Sequence, residues 1–384
     1  MSGTTTPALD IVILGLALRS SWNNGHATTY RALITALEAR GHRVLFLERN
    51  VPWCADSQDL PDDFPGRRAL YQDLEQLADV YGADVVTADL VIVGSCVPDG
   101  IALGEWVQST AKGVVAFYDI DTPDTLASLA RGDCMYLAPR LIPDYQLYLS
   151  FSGGHSLRTL EQRYGSPMAL PLYCSVDPQR YPAEAVEPRY DLGYMGTYSD
   201  DRQAVLERLM LGPARRWTEG RFVVVGSQYP PQVEWPANVE RIEHLGPALH
   251  ARFYNEQRFT LNVTRADLVA AGWSPGVRLF EAAACGTPII SDAWEGLESL
   301  FEPDSEILVA RNAGDVLRWV RDMPEARRLS IGQGGRRRIL AEHTAGHRAQ
   351  TLETYFESAV KRRANRRSAP TATALPVLAS SAAR

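Results

Sequence analysis

The chain is poor in the features that build disulfide-stapled, metal-clipped or membrane-spanning proteins. Its five cysteines, Cys54, Cys96, Cys134, Cys174 and Cys285, are odd in number and form no C-x-x-C pair, which fits reduced thiols rather than a disulfide framework. No His/Cys spacing reads as a zinc cluster. No stretch approaches the roughly 20 apolar residues that cross a bilayer. Met1 to Asp10 also lacks a basic start ahead of the short apolar run Ile11 to Leu18, so neither a signal peptide nor a transmembrane segment is expected, and a cytoplasmic location is. A net positive balance is lacking as well, with 39 Lys and Arg against 46 Asp and Glu. The formal net charge is -7, and six Lys or Arg fall between Lys361 and Arg384 without an acid among them, so the preceding body is more acidic still. A surface that tracks nucleic-acid phosphates needs the opposite balance, and no nucleic-acid partner is expected.

What is present is enough apolar material for two cores: 384 residues, 45% hydrophobic and 22% charged, exceed one ordinary domain. Short β-rich runs alternate with helical patterns in both halves, the pattern of parallel βα units. In the first half, strands are predicted at Ile11 to Leu16, Val44 to Leu47, Leu90 to Val93, Val114 to Tyr118 and Leu147 to Phe151. Helices are predicted at His26 to Arg40, Arg67 to Asp79, Ile101 to Ala111 and Ser156 to Tyr164. Around Cys174 to Pro188 the pattern turns irregular and Pro-rich, then a second series opens at Asp191, with strands at Phe222 to Val225, Arg241 to His244, Phe259 to Val263, Pro288 to Ser291 and Ile307 to Val309. The expected fold is therefore α/β, two Rossmann-like domains facing a cleft. An N-terminal domain over 1–175 is followed by a C-terminal domain over 176–345, a helix over 346–363 and a disordered, Ser/Ala/Pro-rich tail over 364–384. Ligands of such sheets bind at the carboxyl ends of the strands, so the site belongs in the loops after strands.

The richest of these segments runs from Ser274 to Asp292. Ser274 suits a helix N-cap and Pro275 the first helical position. Gly276 then lies at a helix start with free N–H groups, a natural anion site with Arg278 nearby. Arg278 and Glu281, three residues apart, share a face. They either bridge to each other or act on a ligand, the carboxylate being suited to accept both hydroxyls of a ribose.

The run Arg278-Leu279-Phe280-Glu281-Ala282-Ala283-Ala284-Cys285-Gly286-Thr287-Pro288 resembles the donor-site helix of family 4 and related retaining glycosyltransferases of the GT-B type, in which such a Glu binds the nucleotide ribose. Together with Ser274-Pro275 and Leu261 to Arg265, it is similar to the CgeB-like (spore maturation protein) branch. The resemblance covers about Gly193 to Val309, and the first domain in outline. It departs at Trp273, where those enzymes usually carry a second Glu. The resemblance implies a nucleotide diphosphate sugar donor, UDP-linked by expectation, an acceptor hydroxyl on a polysaccharide, glycolipid or small molecule, and retention of anomeric configuration. No metal or other cofactor is expected.

Other strand-end loops supply the remaining candidates. Gly196, in a Gly turn after the strand at Asp191, lets a phosphate approach, and Arg202 on the next helix either pairs with it or lies on the surface. Arg265 is a further cation for the donor. In the first half, Asn24, Gly25 and His26 follow the first strand; His26 is either structural or acts on a hydroxyl or phosphate. Asp119 and Asp121 follow another strand and are expected to face the crevice, where either orients an acceptor hydroxyl, unless Asp121 only caps the next helix. Gly153 and Gly154 allow a backbone anion nest. The catalytic candidates are thus His26, Asp119 and Asp121. The same sequence leaves open a nucleotide-sugar epimerase of like fold, or a non-catalytic sugar-binding or spore-coat protein that retains it.

Overall fold

The structure, a computed structural model, describes residues 7–21, 25–51 and 58–368. Two parallel sheets form it. The first holds strands β1 (Asp10–Gly15), β2 (Arg43–Arg49), β3 (Arg67–Tyr71), β4 (Leu90–Gly94), β5 (Val114–Asp119), β6 (Leu147–Ser150) and β7 (Ala169–Pro171) in the spatial order β3-β2-β1-β4-β5-β6-β7. Its helices are α1 (Gly25–Ala39), α2 (Leu74–Thr87), α3 (Gly100–Thr110), α4 (Thr122–Arg131) and α5 (Gly154–Gln162). The second holds β8 (Tyr190–Met195), β9 (Phe222–Val225), β10 (Val239–Ile242), β11 (Gln257–Asn262), β12 (Ile289–Ser291) and β13 (Leu308–Val309), ordered β10-β9-β8-β11-β12-β13. It is served by α6 (Asp200–Leu206), α7 (Gly212–Arg216), α8 (His250–Asn255), α9 (Ala266–Ala271), α10 (Val277–Ala284), α11 (Ala313–Asp322) and α12 (Glu325–Glu342), and the last element among the described residues is α13 (Ala345–Ser368).

The continuous apolar character of the central strands follows from this architecture. Residues 90 to 94 and 114 to 119 are buried throughout, because helices cover both faces of a parallel sheet. Each sheet carries an apolar layer on either side: Val91, Val93 and Phe117 face one way and Ile92, Ala116 and Tyr118 the other, with a like pair of layers around β8 and β11. Strand order reverses between β1 and β4 and again between β8 and β11, and at such points adjoining loops splay apart and open a crevice.

Several sequence expectations need correction. The helix expected over Arg67 to Asp79 is the edge strand β3 followed by α2, which starts only after Asp73 caps it through Gln76 N at 2.8 Å. The last helix runs to Ser368 rather than ending at 363; its basic sequence keeps good helix formers to that point. It also packs back on the first domain. Ala349, Leu352 and Ala359 join the layer under β1, and Glu353 accepts from Arg40 Nη2 at 2.6 Å and meets His42 Nε2 at 2.8 Å.

The two halves are stitched together along one side of the crevice. Gly153 N donates to Trp273 O at 2.9 Å, Ser274 Oγ to Ser152 Oγ at 2.6 Å, and Arg265 meets Asp124 at 3.4 Å. Trp273 adopts the left-handed backbone region at φ 41. Its ring lies against Gly154 from one domain and Gly296 from the other, where a Cβ would come within 2.2 and 2.4 Å of the indole.

Candidate active site

In the second domain the loops after β8 and β9 and the start of α10 enclose a cavity of about 310 Å³ at the strand-order reversal. Arg278 is fixed at its centre. Its Nε donates to Met195 O at 2.7 Å, its Nη1 to Asn262 Oδ1 at 3.1 Å, and its guanidinium lies 5.1 Å from the Tyr194 ring centroid. The strand ends thus hold one edge of the fork while Nη2 turns toward Gly196, where an added Cβ would approach it to 3.1 Å. Gly226, at φ 149, brings the second turn against the first, since a Cβ there would meet Gly196 O at 2.0 Å. Arg202 lines the same space. Its Nη2 donates to Thr197 O at 2.6 Å, and its Nε is buried without a hydrogen-bond partner among the described residues. A buried, unmatched guanidinium N–H is costly unless an anion completes it.

Glu281, 6% exposed, forms the inner wall. Tyr181 Oη donates to its Oε1 at 2.6 Å and Tyr254 Oη to its Oε2 at 3.1 Å. Each oxygen keeps lone-pair capacity for another donor, and Arg278 and Glu281 do not bridge to each other. Gly276 is the N-cap of α10, and a Cβ added there would meet no atom within 4 Å; the next residue, Val277, lines the cavity. Ser274 is not that cap. Its hydroxyl is taken by Ser152 and by Gly272 O at 2.8 Å, and the helix starts at Val277.

Two further donor or loop candidates lie elsewhere. Arg265 is half exposed and surrounded by Asp124, Asp201 and Asp267 at 3.4, 4.0 and 3.4 Å; it joins the domains through carboxylates rather than presenting a free charge to a phosphate. Gly153 and Gly154 give room to Trp273, not to an anion: a Cβ on either would meet Tyr173 Oη at 2.2 Å or the indole at 2.2 Å.

On the facing domain, β1, β4 and β5 end side by side. His26 Nε2, on the first turn of α1, meets Asp121 Oδ2 at 2.9 Å. The same oxygen accepts from Ser95 Oγ at 3.0 Å and Cys96 Sγ at 3.4 Å. Burial alone would raise the Asp121 carboxyl, but the His26 bond and charge, with the Ser95 and Cys96 bonds, hold it below its ordinary value. Asp121 occupies the N-cap position of α4, and its backbone O accepts from Thr125 N at 2.9 Å, but its carboxylate makes no cap hydrogen bond to the helix. Gly25 and Thr28, flanking His26, line the cavity at Arg278; Asn24 lies outside the described residues.

Asp119 does not face the crevice. It is fully buried and accepts from Tyr148 Oη at 2.6 Å and Thr125 Oγ1 at 2.7 Å. Burial pushes its carboxyl up to about 7, against the lowering by those two hydroxyls. The pair is therefore split: Asp119 ends β5 inside the sheet, whereas Asp121 lies beyond the strand, in the turn before α4, where it meets His26.

Tyr181 and Tyr254, which hold Glu281, and Ser95 and Cys96, which hold Asp121, carry no local motif. Nor does Arg241, which lies 4.3 Å from the Tyr229 ring and 4.1 Å from that of Trp235 and donates to Gly226 O at 2.9 Å, fixing the second glycine turn. A larger cavity of about 500 Å³ sits at the opening ends of β5 and β6 beside α13. That is the wrong end of a parallel sheet for a substrate.

Residues 202–354 match a family model described as glycosyl transferase-like. Among curated proteins no sequence matches the chain. Solved structures match nearly its whole length: an alpha-glucosyltransferase in complex with UDP-glucose and DNA containing an abasic site (TM-score 0.68, 12% identity, 91% of this chain and 100% of that one), HepE of Anabaena in complex with UDP-glucose (0.65, 11%, 91% and 100%), and sucrose-phosphate synthase from Thermosynechococcus elongatus (0.64, 15%, 92% and 99%). The fold is GT-B. In GT-B terms the cavity at Arg278 belongs to the second Rossmann-like domain, and the His26–Asp121 pair stands across the cleft from it.

Proposed function

We propose that this GT-B protein transfers a sugar from a nucleotide diphosphate donor to an acceptor hydroxyl, with Glu281 taking the ribose and Arg202 and Arg278 taking the diphosphate. The observation that carries this reading is the convergence of a pinned carboxylate, a pinned guanidinium and an unmatched guanidinium N–H on one cavity. Charge grows on the departing diphosphate as the glycosidic bond breaks, and donors fixed in advance stabilise it without reorganising. Two arginines and the start of α10 at Gly276 meet that need without a divalent cation, and the donor is a UDP-sugar, as in the glucosyltransferase and HepE complexes. Across the cleft His26, oriented by Asp121, faces the acceptor hydroxyl. Retention, and kinship with the CgeB-like branch, rest on the Arg278 to Pro288 run and its flanking Ser274-Pro275.

An epimerase would need acid and base groups flanking the sugar, and a non-catalytic protein would bind donor without turnover. A thermal-shift screen with UDP-, GDP-, ADP- and dTDP-sugars tests the reading, because a ligand that binds only the folded state raises its melting temperature. Selective stabilisation by one nucleotide series, followed by slow donor hydrolysis, is expected. No stabilisation by any of them, or stabilisation with neither hydrolysis nor transfer across acceptor panels, refutes it.

A further inference from the structure

The sequence has no metal-ligand spacing, yet the fold gathers three donors of the kind that hold a borderline-soft cation. His26 Nε2, Cys96 Sγ and a carboxylate oxygen of Asp121 all lie within 4.8 Å of one another. They come from three different strand ends, after β1, β4 and β5, and from positions 26, 96 and 121, which no local motif would connect. We propose that these three side chains bind Zn²⁺; on the function proposed above, the ion would occupy the His26 nitrogen and Asp121 oxygen that face the acceptor.

The distances favour this over a chance cluster. Tetrahedral zinc holds its N, O and S ligands with ligand atoms about 3.3–3.6 Å apart. Here His26 and Asp121 are 2.9 Å apart, Cys96 and Asp121 3.4 Å, and all three ligand atoms lie within 4.8 Å of one another, so side-chain adjustment alone brings them to an ion. One imidazole, one thiolate and one carboxylate suit zinc and exclude magnesium and calcium, which prefer oxygen alone. Cys96 sits at φ 60, a left-handed conformation that a non-glycine residue rarely adopts and that turns its thiol toward Asp121. Ser95 Oγ, itself fully buried, donates to Asp121 and also accepts from Ile120 N at 3.1 Å, a supporting hydrogen bond of the kind that orients ligating carboxylates. Asp121 is about one-third exposed along its side chain, leaving a fourth position for water. On binding, the thiol proton leaves to solvent and the His26–Asp121 hydrogen bond is replaced by two bonds to the ion.

The probe is Co²⁺ alone, added to the full chain without any nucleotide. That keeps the result independent of whether the protein transfers sugar. One equivalent should produce a near-ultraviolet thiolate-to-cobalt band that Zn²⁺ abolishes. The band should vanish in Cys96→Ser and persist in Cys134→Ser, and Zn²⁺ affinity should fall at least tenfold in Cys96→Ser, since even losing a supporting partner of a ligand costs that much. Asp121→Asn keeps the side-chain shape and should weaken Zn²⁺ by a similar factor, which keeps the test decisive if the serine variant does not fold. No band in the wild type, a band that survives Cys96→Ser, or unchanged Zn²⁺ affinity in Asp121→Asn overturns the proposal.

Discussion

Glu281→Gln is the perturbation that separates ligand binding from folding. The carboxylate lies in a buried pocket and accepts two tyrosine hydroxyls, Tyr181 at 2.6 Å and Tyr254 at 3.1 Å. Alanine at 281 would leave both hydroxyls without an acceptor, at about 1–3 kcal/mol each, so a weaker donor affinity in that variant would be confounded with a loosened core. Glutamine fills the same volume, keeps one acceptor oxygen, and its amide can donate to the other hydroxyl if that hydroxyl rotates. What it loses is the charged acceptor for the ribose diol. A hydrogen bond to a charged group is worth about 1.5–3 kcal/mol, which predicts a donor dissociation constant raised roughly 10- to 150-fold. Titration calorimetry with the stabilising nucleoside diphosphate, and with its 2′,3′-dideoxy form, reads this directly. Wild type should discriminate strongly between the two ligands, and Glu281→Gln should not. Equal affinity of wild type and variant for the ribose form, at unchanged melting temperature, would remove Glu281 from the ribose site.

Further expectations follow from other contacts. Arg202→Ala and Arg278→Ala should each slow single-turnover transfer by about 100-fold or more. Arg278→Lys should recover only part of that, because lysine lacks the fork that bonds Met195 O and Asn262 at once; normal rates in both alanine variants would place the diphosphate elsewhere. Asp119 holds its proton more tightly folded (about 7) than unfolded (3.8), so its contribution to stability falls as pH rises from about 4 to 7. Asp119→Asn should gain on wild type by about 3 kcal/mol between pH 5 and 8 in urea titrations, and parallel pH profiles would show that the carboxyl is ionised in the fold. Removal of residues 369–384 should leave melting temperature and donor affinity unchanged, whereas truncation before Ala345 should unfold the first domain. A stable fragment ending at Thr344 would refute that.

The parts of this fold that are legible in sequence are those whose cause is local. Phe222–Val225 is an unbroken apolar run and is a central strand with the bounds expected of it. Gly25 opens α1, and Gly286 follows α10, as turn chemistry requires. The edge strand β3 escapes because a strand with one neighbour and exposed Arg67 and Arg68 shows neither alternation nor an apolar run. The N-cap expected at Ser274 fails for a different reason: its hydroxyl is used by Ser152, 122 positions away in sequence. The same long reach hides the partners of the site. Tyr181 lies in the Pro-rich stretch between the domains and Tyr254 on α8, and nothing near either one announces Glu281. Asp119 and Asp121 are equivalent by sequence, and only the burial of the first tells them apart.

The placement of α13 decides when this protein can fold as it is made. The sheet synthesised first, from Asp10 to Pro171, has one flank closed by Ala349, Leu352 and Ala359 and by the Glu353 bonds to Arg40 and His42. Domains emerging from the ribosome generally fold in order from the N-terminus, but here the domain made first stays unfinished until α13, residues 345 to 368, has left the exit tunnel. The second domain, complete earlier, is in effect an insertion within the first. Released chains ending at Thr344 should therefore be cut by protease within the first sheet while the second, with α12 in place, is already resistant.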